Sequence, residues 1–302
     1  MRALLIVNPK ATATTARTRD VLARALASDL KLDVVHTQRR GHAADLARQA
    51  VEDELDLVVT LGGDGTVNEA VNGLAGSDVS LAVVPGGSTN VFARALGLSP
   101  SAVEATGEIL DAIRVGRRRV INLGLADDRY FTFCAGLGID AEVVHEVELR
   151  RRAGRRATPT LYVSSAVRHF FTACDRKDPA LTLQIPGAEP VPGMFNLVVA
   201  NGRPWTYLGR RAVDPCPEGD FNAGLDVLGL TKLSTVATLR VVRQMLVERA
   251  AVKGRRLVAR HDLDTFTVTS TRPIALQLDG DYVGERDQVT FHSAAAALNV
   301  VV

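Results

Sequence analysis

The first 115 residues alternate between short apolar runs and stretches whose apolar residues recur every three or four positions. Short apolar runs predict strands buried on both faces, and the longer spacing predicts amphipathic helices. The predicted strands are 3–7, 33–37, 57–61 and 81–84, and the predicted helices are 15–30, 43–54, 67–74, 91–96 and one that Ser99 caps with Pro100 at its first position. Strands separated by helices indicate a doubly wound α/β domain with a parallel sheet, over residues 1–118.

After about residue 117, strand patterns follow one another with few helices between them. The predicted strands are 120–125, 130–135, 180–185, 194–200, 225–230, 257–260, 265–270, 274–278 and 289–292, and the predicted helices are 141–150, 160–172 and 235–247. Pro and Gly pairs separate several of these strands, as turns do. This pattern predicts an antiparallel β-sandwich-like domain with a few helices over residues 119–293.

Composition narrows the protein class. The chain has 302 residues, of which 46% are hydrophobic and 23% charged, as in soluble globular proteins. A net charge of +2 gives no sign of nucleic-acid binding. The N-terminal apolar run resembles a first strand more than a signal peptide, and no run approaches the roughly 20 residues that span a bilayer. Three widely spaced cysteines fit neither a disulfide framework nor a zinc site, so we expect a cytoplasmic protein with reduced thiols.

The strongest local signal for chemistry is the segment 57–74, LVVTLGGDGTVNEAVNGL. It reads as a strand, a loop with three glycines around Asp64, and a helix. Glycines let the backbone approach a phosphate, and the N–H groups that open a helix favour an anion. A tight turn between strand and helix is the alternative for a glycine loop alone, but the length of this string favours a phosphate site.

Two further loops follow predicted strands of the same domain. These are residues 8–12, NPKAT, and residues 85–90, PGGSTN. Ligands in parallel sheets bind beyond the carboxyl ends of the strands, where all three loops lie. Their glycines and hydroxyls therefore predict a nucleotide site.

These motifs resemble the diacylglycerol kinase catalytic family, which includes bacterial lipid kinases and sphingosine kinases. NAD kinases and phosphofructokinases share the GGDG loop, but PGGSTNVFARALGL resembles the second loop of the lipid kinases. The matching motifs run in order through nearly the whole chain, at 8–12, 37, 62–74, 85–98, 136–141 and 278–281. The resemblance also implies that the last strand, near 294–302, returns to the first domain.

For the first domain the resemblance implies that ATP binds with Mg²⁺. The implied nucleotide-binding residues are Asn8, Pro9, Lys10, Thr12, Thr37, Gly62, Gly63, Asp64, Gly65, Thr66, Asn68, Glu69, Gly87, Ser88 and Asn90. Asp64 would also hold Mg²⁺ and act in catalysis. Ala11 and Thr12 depart from the usual Ser-Gly of the first loop.

For the second domain the resemblance implies a lipid cleft bordered by Gly138 and Asp140, and a general base in Asp279-Gly280-Asp281. Asp140 is equally a helix N-cap, and without the resemblance the Asp-Gly pair would favour a polar hairpin turn. Asp279 and Asp281 would share a face of a strand, and Asp279 is the preferred base because Asp281 replaces a longer Glu. Some relatives bind a structural Mg²⁺ in the stretch that corresponds to residues 220–226, where Asn222 and Ala223 replace the carboxylates.

The run of five arginines in residues 150–156 precedes an apolar stretch, 161–171. Basic residues beside an amphipathic helix suit an anionic bilayer, although Glu142, Glu146 and Glu148 could pair with them instead. We therefore expect a peripheral, transient contact with the inner face of the cell membrane.

The sequence as a whole predicts an ATP- and Mg²⁺-dependent kinase that phosphorylates a hydroxyl of diacylglycerol or a related lipid. A homodimer is possible, and no nucleic-acid partner is expected. Two alternatives stay open. One is a small-molecule kinase similar to NAD kinases, and the other is a catalytically weak sensor of nucleotide or lipid, which the changes at Ala11, Ala223 and Asp281 would suit.

Overall fold

The computed structural model describes residues 1–152, 165, 168, 178–247 and 251–302. The chain divides into two compact units, one formed by Met1–Leu123 with Ala294–Val302 and the other by Gly124–Ser293. Among the described residues no helix is both long and apolar enough to cross a membrane.

Unit 1 is a parallel sheet with helices between its strands. Its elements are β1 (Arg2–Val7), α1 (Ala16–Ala27), β2 (Lys31–His36), α2 (His42–Glu52), β3 (Leu57–Gly62), α3 (Asp64–Leu74), β4 (Ser80–Pro85), α4 (Val91–Ala95), α5 (Ala102–Arg114) and the start of β5 (Arg118–Ala126). The strand order is β2-β1-β3-β4, and Val300 of the last strand pairs in parallel with Leu81 of β4. Every residue of β3 and β4 is buried, as their apolar runs predict. The prediction was wrong for β2, which is the edge strand and has no buried residue.

Helix α5 begins two residues later than its sequence suggested. Ser99 and Pro100 precede the helix, and Ser101 is the N-cap, whose hydroxyl accepts a hydrogen bond from the Glu104 N–H. The prediction that Ser99 caps the helix was therefore wrong. Ser99 instead bonds through its hydroxyl to the carboxylate of Glu104, at 2.6 Å.

Unit 2 is mainly antiparallel. It contains the end of β5, β6 (Arg129–Phe131), β7 (Cys134–Gly138), α6 (Ile139–Arg152), β8 (Leu181–Gln184), β9 (Val191–Met194), β10 (Asn196–Ala200), β11 (Thr206–Leu208), β12 (Arg211–Val213), β13 (Leu225–Leu230), α7 (Thr235–Met245), β14 (Leu257–Leu263), β15 (Thr265–Leu278) and most of β16 (Asp281–Val301). The strand order is β14-β13-β10-β7-β15-β16, and β8 joins β15 beside β7. Side chains from β7, β8, β10, β13, β15 and β16 share one apolar core.

The strand patterns of unit 2 were right in kind and wrong in length. The predicted strands 265–270 and 274–278 are one strand, β15, whose pairing with β16 shifts register between Thr269 and Ile274. Pro273 lies in this shift, and a proline has no N–H to donate, so it interrupts the pairing without ending the strand. The hairpin β11–β12 was not predicted.

Several predictions concern residues that the structure does not describe. The predicted helix 160–172 lies outside the described residues except at 165 and 168, and so does most of the arginine run after residue 152. Of the three cysteines, Cys134 and Cys216 are buried free thiols, and Cys174 lies outside the described residues.

Candidate functional site

The strand order of unit 1 creates a crevice at one edge of its sheet. After β1 the chain runs to β2 on one side, and later to β3 and β4 on the other side. Such a reversal of strand order opens a crevice at the carboxyl ends of the two strands that flank it. Here these strands are β1 and β3, which the loop 8–12 and Gly63 with the first turn of α3 follow directly. The helix begins at Asp64, so the prediction that a loop extends to Thr66 was wrong. The loop after β4, residues 86–90, lies at the same edge because β3 and β4 are parallel.

The two glycine loops interlock. The Gly86 N–H donates to the carbonyl oxygen of Gly62 at 2.7 Å, and the Ala13 N–H donates to the carbonyl oxygen of Gly86 at 2.9 Å. A Cβ atom on Gly87 would lie 2.7 Å from the Cα of Gly63, closer than carbon atoms pack. Glycine is therefore required at Gly87 because the backbones of the two loops touch there.

Polar side chains fix the remaining contacts between these loops. The amide of Asn8 donates to the hydroxyl of Thr66 at 3.0 Å, and one carboxylate oxygen of Asp64 accepts the N–H of Phe92, in α4, at 3.1 Å. Asp64 therefore ties the first glycine loop to the helix that follows the second. The conformation of each loop depends on the other.

The backbone conformation and the hydrogen bonds of Asn90 both suit an asparagine. Its φ of 49° lies in the left-handed region, which Asn tolerates better than most residues. Its side chain accepts the Gly87 N–H at 2.8 Å and donates to the Gly87 carbonyl at 2.9 Å. Asn90 thus closes the 87–90 loop on itself.

The other predicted nucleotide residues divide by exposure. Pro9, Lys10, Thr12 and Ser88 are exposed, and Gly63, Asp64, Gly65 and Thr37 are half-buried at or near the sheet edge. By contrast, Asn68 is buried, and the Glu69 carboxylate accepts the N–H groups of Gly41 and Ala43 at 2.8 and 3.1 Å. Their contacts indicate that Asn68 and Glu69 support the fold around the crevice, while the exposed set is accessible to a ligand.

Metal ligands are sparse in the part of the chain that the structure describes. It contains no group of three or more His, Cys, Asp or Glu side chains arranged to hold a metal. In the 220–226 stretch, Asp226 pairs with His261 at 2.6 Å, and Asp220 accepts both the N–H and the side-chain amide of Asn222. Mg²⁺ in nucleotide sites is bound largely by phosphate and water with one or two carboxylates, and Asp64 fits that pattern.

The Asp279-Gly280-Asp281 segment of unit 2 is a two-residue hairpin turn. Leu278 pairs with Asp281 across it, and the φ angles of Asp279 and Gly280 are 50° and 81°. Left-handed conformations at both central positions are typical of a type I′ turn, for which Asp-Gly is a favoured pair. Asp279 therefore lies in the turn, and the expectation that it shares a strand face with Asp281 was wrong.

The carboxylate of Asp279 is fully engaged inside unit 2. One oxygen accepts the backbone N–H and the hydroxyl of Thr132 at 2.7 and 2.8 Å, and the other accepts the N–H groups of Phe133 and Cys134 at 3.0 and 3.1 Å. The residue is only 5% exposed. Four donors occupy the acceptor positions of a carboxylate, so these contacts favour an architectural role for Asp279.

Asp281 differs from Asp279 in exposure and contacts. Its carboxylate is 28% exposed and lies 3.8 Å from the guanidinium of Arg129. The next residue, Tyr282, stacks on His145 of α6 with ring centroids 4.0 Å apart. Asp281 is thus the more accessible of the two carboxylates, and an aromatic pair lies directly beside it in sequence.

A buried amide connects Asp140 to this turn. The Gln277 side chain donates to a carboxylate oxygen of Asp140 at 2.7 Å and accepts the N–H of Gly280 at 2.8 Å. Burial raises the pKa of the Asp140 carboxyl to about 6, while the bond from Gln277 acts in the opposite direction. Sequence reasoning missed Gln277, although a lone polar residue in the apolar run Ile274–Leu278 was a usable signal.

The two residues predicted to border the lipid cleft occupy the β7–α6 junction. Asp140 lies in the first turn of α6 and is not its N-cap, so the capping alternative was wrong. Gly138 has a φ of 85°, and a Cβ there would lie 2.6 Å from the carbonyl oxygen of Phe195. The backbone of this junction therefore requires glycine.

Comparison with known proteins supports the resemblance that the motifs suggested. The family model named diacylglycerol kinase catalytic domain matches residues 2–125. The chain is 41% identical to the diacylglycerol kinase of Bacillus subtilis (strain 168) over 109 residues, which are 35% of each chain. It is 38% identical to the diacylglycerol kinase of Staphylococcus epidermidis over 112 residues, 36% of this chain and 34% of that one. The match spans about a third of the length of these curated relatives.

Solved structures extend the likeness of fold to nearly the whole chain. A diacylglycerol kinase from Bacillus anthracis str. Sterne matches with a TM-score of 0.74 and 18% identity, over 99% of this chain and 96% of that one. An NAD kinase from Archaeoglobus fulgidus, solved in complex with ATP, matches with a TM-score of 0.54 and 13% identity, over 100% of this chain and 94% of that one. The predicted fold class, an α/β domain followed by a β domain, is confirmed.

Proposed function

We propose that this chain, whose residues 2–125 match the family model of the diacylglycerol kinase catalytic domain, is an ATP- and Mg²⁺-dependent lipid kinase. It transfers the γ-phosphate of ATP to a hydroxyl of diacylglycerol or a related lipid. The acceptor lies in a bilayer, so the enzyme works as a peripheral protein on the membrane surface.

The observation that carries the proposal is the interlocked pair of glycine loops in unit 1. Gly86 bonds to Gly62 and Gly87 touches Gly63, at the sheet edge where parallel folds bind ligands. Exposed hydroxyl and ammonium groups of Thr12, Ser88 and Lys10 lie on these loops and the neighbouring one. Backbone N–H groups with such side chains suit a polyphosphate.

Phosphoryl transfer requires little covalent chemistry from the protein. Positioning and charge stabilisation provide most of the rate, and Mg²⁺ neutralises charge on the phosphates when it is bound. Asp64 is the carboxylate in the loops suited to hold that ion, alongside the phosphates themselves. The remaining task for the chain is to take the proton of the attacking hydroxyl.

We assign Asp281 as the group that accepts this proton. Both Asp279 and Asp281 were candidates, and Asp279 was preferred from sequence. The four hydrogen bonds that Asp279 accepts leave it little capacity to bond a substrate hydroxyl. Asp281 is partly exposed, and the turn that carries it is held by Asp279 and by the link from Gln277 to Gly280.

The proposal is tested by transfer of labelled γ-phosphate from ATP to lipids in mixed micelles. Diacylglycerol, monoacylglycerol, phosphatidylglycerol, ceramide and sphingosine serve as acceptors, with and without a chelator of Mg²⁺. The expected result is one labelled lipid that disappears on chelation. ATP binding without any labelled lipid would overturn the kinase proposal and favour a sensor of nucleotide or lipid. If labelled lipid still forms in the presence of the chelator, only the role of Mg²⁺ is overturned, and the kinase proposal stands.

A further inference from the structure

The outward side of α7, in unit 2, carries aliphatic side chains where a surface helix usually carries polar ones. Val236 is 73% exposed and Leu239 is 63% exposed, while Val241 on the opposite side is buried against Ala200, Cys216 and other apolar residues. At 100° per residue, positions 236, 239, 240 and 243 of the helix fall on one arc. The helix therefore has a buried apolar side and a second, exposed apolar side.

Arginine is the only charged residue type on that outward arc. Arg240 and Arg243 lie between the exposed aliphatic residues, and within the described residues neither makes an ion pair or a hydrogen bond. The stretch 229–260 contains one acidic residue, Glu248, which lies outside the described residues, and eight basic residues. The basic residues are Lys232, Arg240, Arg243, Arg249, Lys253, Arg255, Arg256 and Arg260.

Hydrogen bonds hold further basic residues against both ends of the helix. The guanidinium of Arg211, in β12, donates to the Leu246 carbonyl at 2.9 Å. Lys253 exchanges two hydrogen bonds with Gln244, at 2.7 and 3.1 Å. The Arg256 carbonyl accepts the Thr231 N–H at 3.0 Å, just before the helix begins. All three basic residues are exposed, so positive charge surrounds the helix.

The hairpin β11–β12 extends this surface with amphipathic residues. Arg211 anchors it to the C-terminal end of α7, and the Asp214 N–H donates to the Met245 carbonyl at 2.8 Å. Leu208 is exposed near its tip, and Trp205 and Tyr207 are half-exposed. Trp and Tyr side chains favour the boundary between water and hydrocarbon. We use the term α7 surface for Val236, Leu239, Arg240 and Arg243 of α7, the exposed residues Lys232 and Val247 just outside its ends, and the hairpin residues Trp205, Leu208, Arg210 and Arg211.

We propose that the α7 surface docks unit 2 on an anionic lipid bilayer. Aliphatic side chains enter the boundary of the acyl chains, while the surrounding Arg and Lys residues bind the negative headgroups. Charge identifies this occupant. A second copy would bring the same positive surface against itself, which like-charge repulsion opposes. This inference deepens the proposed function by naming the surface that brings the enzyme to its acceptor, and it rests on that function for the acceptor being a lipid.

The test measures binding of the full chain to vesicles without ATP, so it does not depend on catalysis. Vesicles of phosphatidylcholine with 30% phosphatidylglycerol, roughly the charge range where basic surfaces respond, are compared with pure phosphatidylcholine by sedimentation. Trp205 is the one tryptophan of the sequence, so its fluorescence reports directly on the proposed surface. We expect binding to the anionic vesicles, a shift of the Trp205 emission to shorter wavelength, and loss of both at high salt.

Variants locate the contact. The apolar variant V236S/L239S and the charge variant R240E/R243E should each weaken binding to anionic vesicles about tenfold or more. Matched controls lie in unit 1, where Val103 is 62% exposed on α5 and Arg17 and Arg24 are exposed on α1. V103S and R17E/R24E should bind as the wild type does. Thermal unfolding of each variant checks that these exposed changes leave the fold intact.

Four outcomes overturn the proposal. These are no binding to anionic vesicles, binding that survives both α7 variants, equal binding to neutral vesicles, and a concentration-dependent dimer that V236S/L239S abolishes. The last outcome would make the surface an interface between two copies. Phosphate transfer by the wild-type protein to diacylglycerol in micelles, measured without vesicles, separates the two proposals, because the kinase function then stands whatever the vesicles show.

Discussion

The nucleotide loops of unit 1 and the carboxylate turn of unit 2 are assembled from different ranges of the chain. In unit 1 each loop lies between its own strand and helix, and the strand order brings the loops to one edge. In unit 2 the Asp279 carboxylate bonds to residues 145 to 147 positions earlier, and Gln277 bonds to Asp140 across 137 positions. A site made of local loops shows itself in the sequence, whereas a site made of distant contacts does not.

The largest effect should come from Asp281. The variant D281N removes the proposed proton acceptor and should lower kcat for lipid phosphorylation about 10²- to 10⁴-fold, the usual contribution of a general base. ATP binding should be unchanged because the nucleotide loops are not touched. The variant D287N removes an exposed carboxylate from the same strand and serves as the control. Equal activity of D281N and wild type would remove Asp281 from the mechanism.

The next effect tests whether the glycine loops of unit 1 must interlock. In G87A the new methyl group would meet the Gly63 backbone at 2.7 Å, so the loops must separate. A displacement of this kind should reduce kcat/KM for ATP about 100-fold. The control is G107A, because Gly107 lies in α5 with no atom within 4 Å of a new Cβ, and it should be neutral or slightly stabilising. Normal ATP kinetics in G87A would show that contact between the loops is dispensable.

Asp279 should matter for stability more than Asp281 does. In D279N an NH2 group replaces one carboxylate oxygen of residue 279. The two buried donors that bonded to that oxygen inside unit 2 then lose their acceptor. The free energy of unfolding should fall by about 3 kcal/mol, measured by urea denaturation. D281N should change it by less than about 0.5 kcal/mol, because its ion pair with Arg129 is long and partly exposed. The opposite ranking would contradict the division of roles between the two carboxylates.

A smaller effect should appear as a pH dependence of stability. Burial raises the pKa of Asp140 to about 6, from 3.8 in the unfolded chain, so the folded state binds more protons between these values. The stabilisation from this group is complete below about pH 4 and is lost as the pH rises through 6. D140N should lack this term, so the difference in unfolding free energy between wild type and D140N should shift by about 2 kcal/mol from pH 4.5 to pH 7. A constant difference across this range would mean that Asp140 is not buried as described.

The same contrast explains how much of the fold and of the candidate site could be predicted from the sequence. The parallel sheet of unit 1, its buried strands β1, β3 and β4 and the positions of its loops could be predicted, because each depends on contiguous residues, whereas the exposure of the edge strand β2 could not. In unit 2 the antiparallel class was clear, but the prediction divided β15 where the sheet only shifts register. The preference for Asp279 over Asp281 as the general base stays a prediction. The hydrogen bonds that Asp279 accepts argue against it. Neither those bonds nor the Gln277 link has a local signature beyond one buried amide in an apolar strand.

The central claim is that the nucleotide loops serve a kinase whose acceptor is a lipid. It is tested most directly by one reaction in which wild-type protein, labelled ATP and Mg²⁺ meet diacylglycerol micelles and NAD as competing acceptors. We predict that the label passes to the lipid and that NADP stays unlabelled. Label in NADP with none in the lipid would contradict the claim and identify a small-molecule kinase built on the same fold.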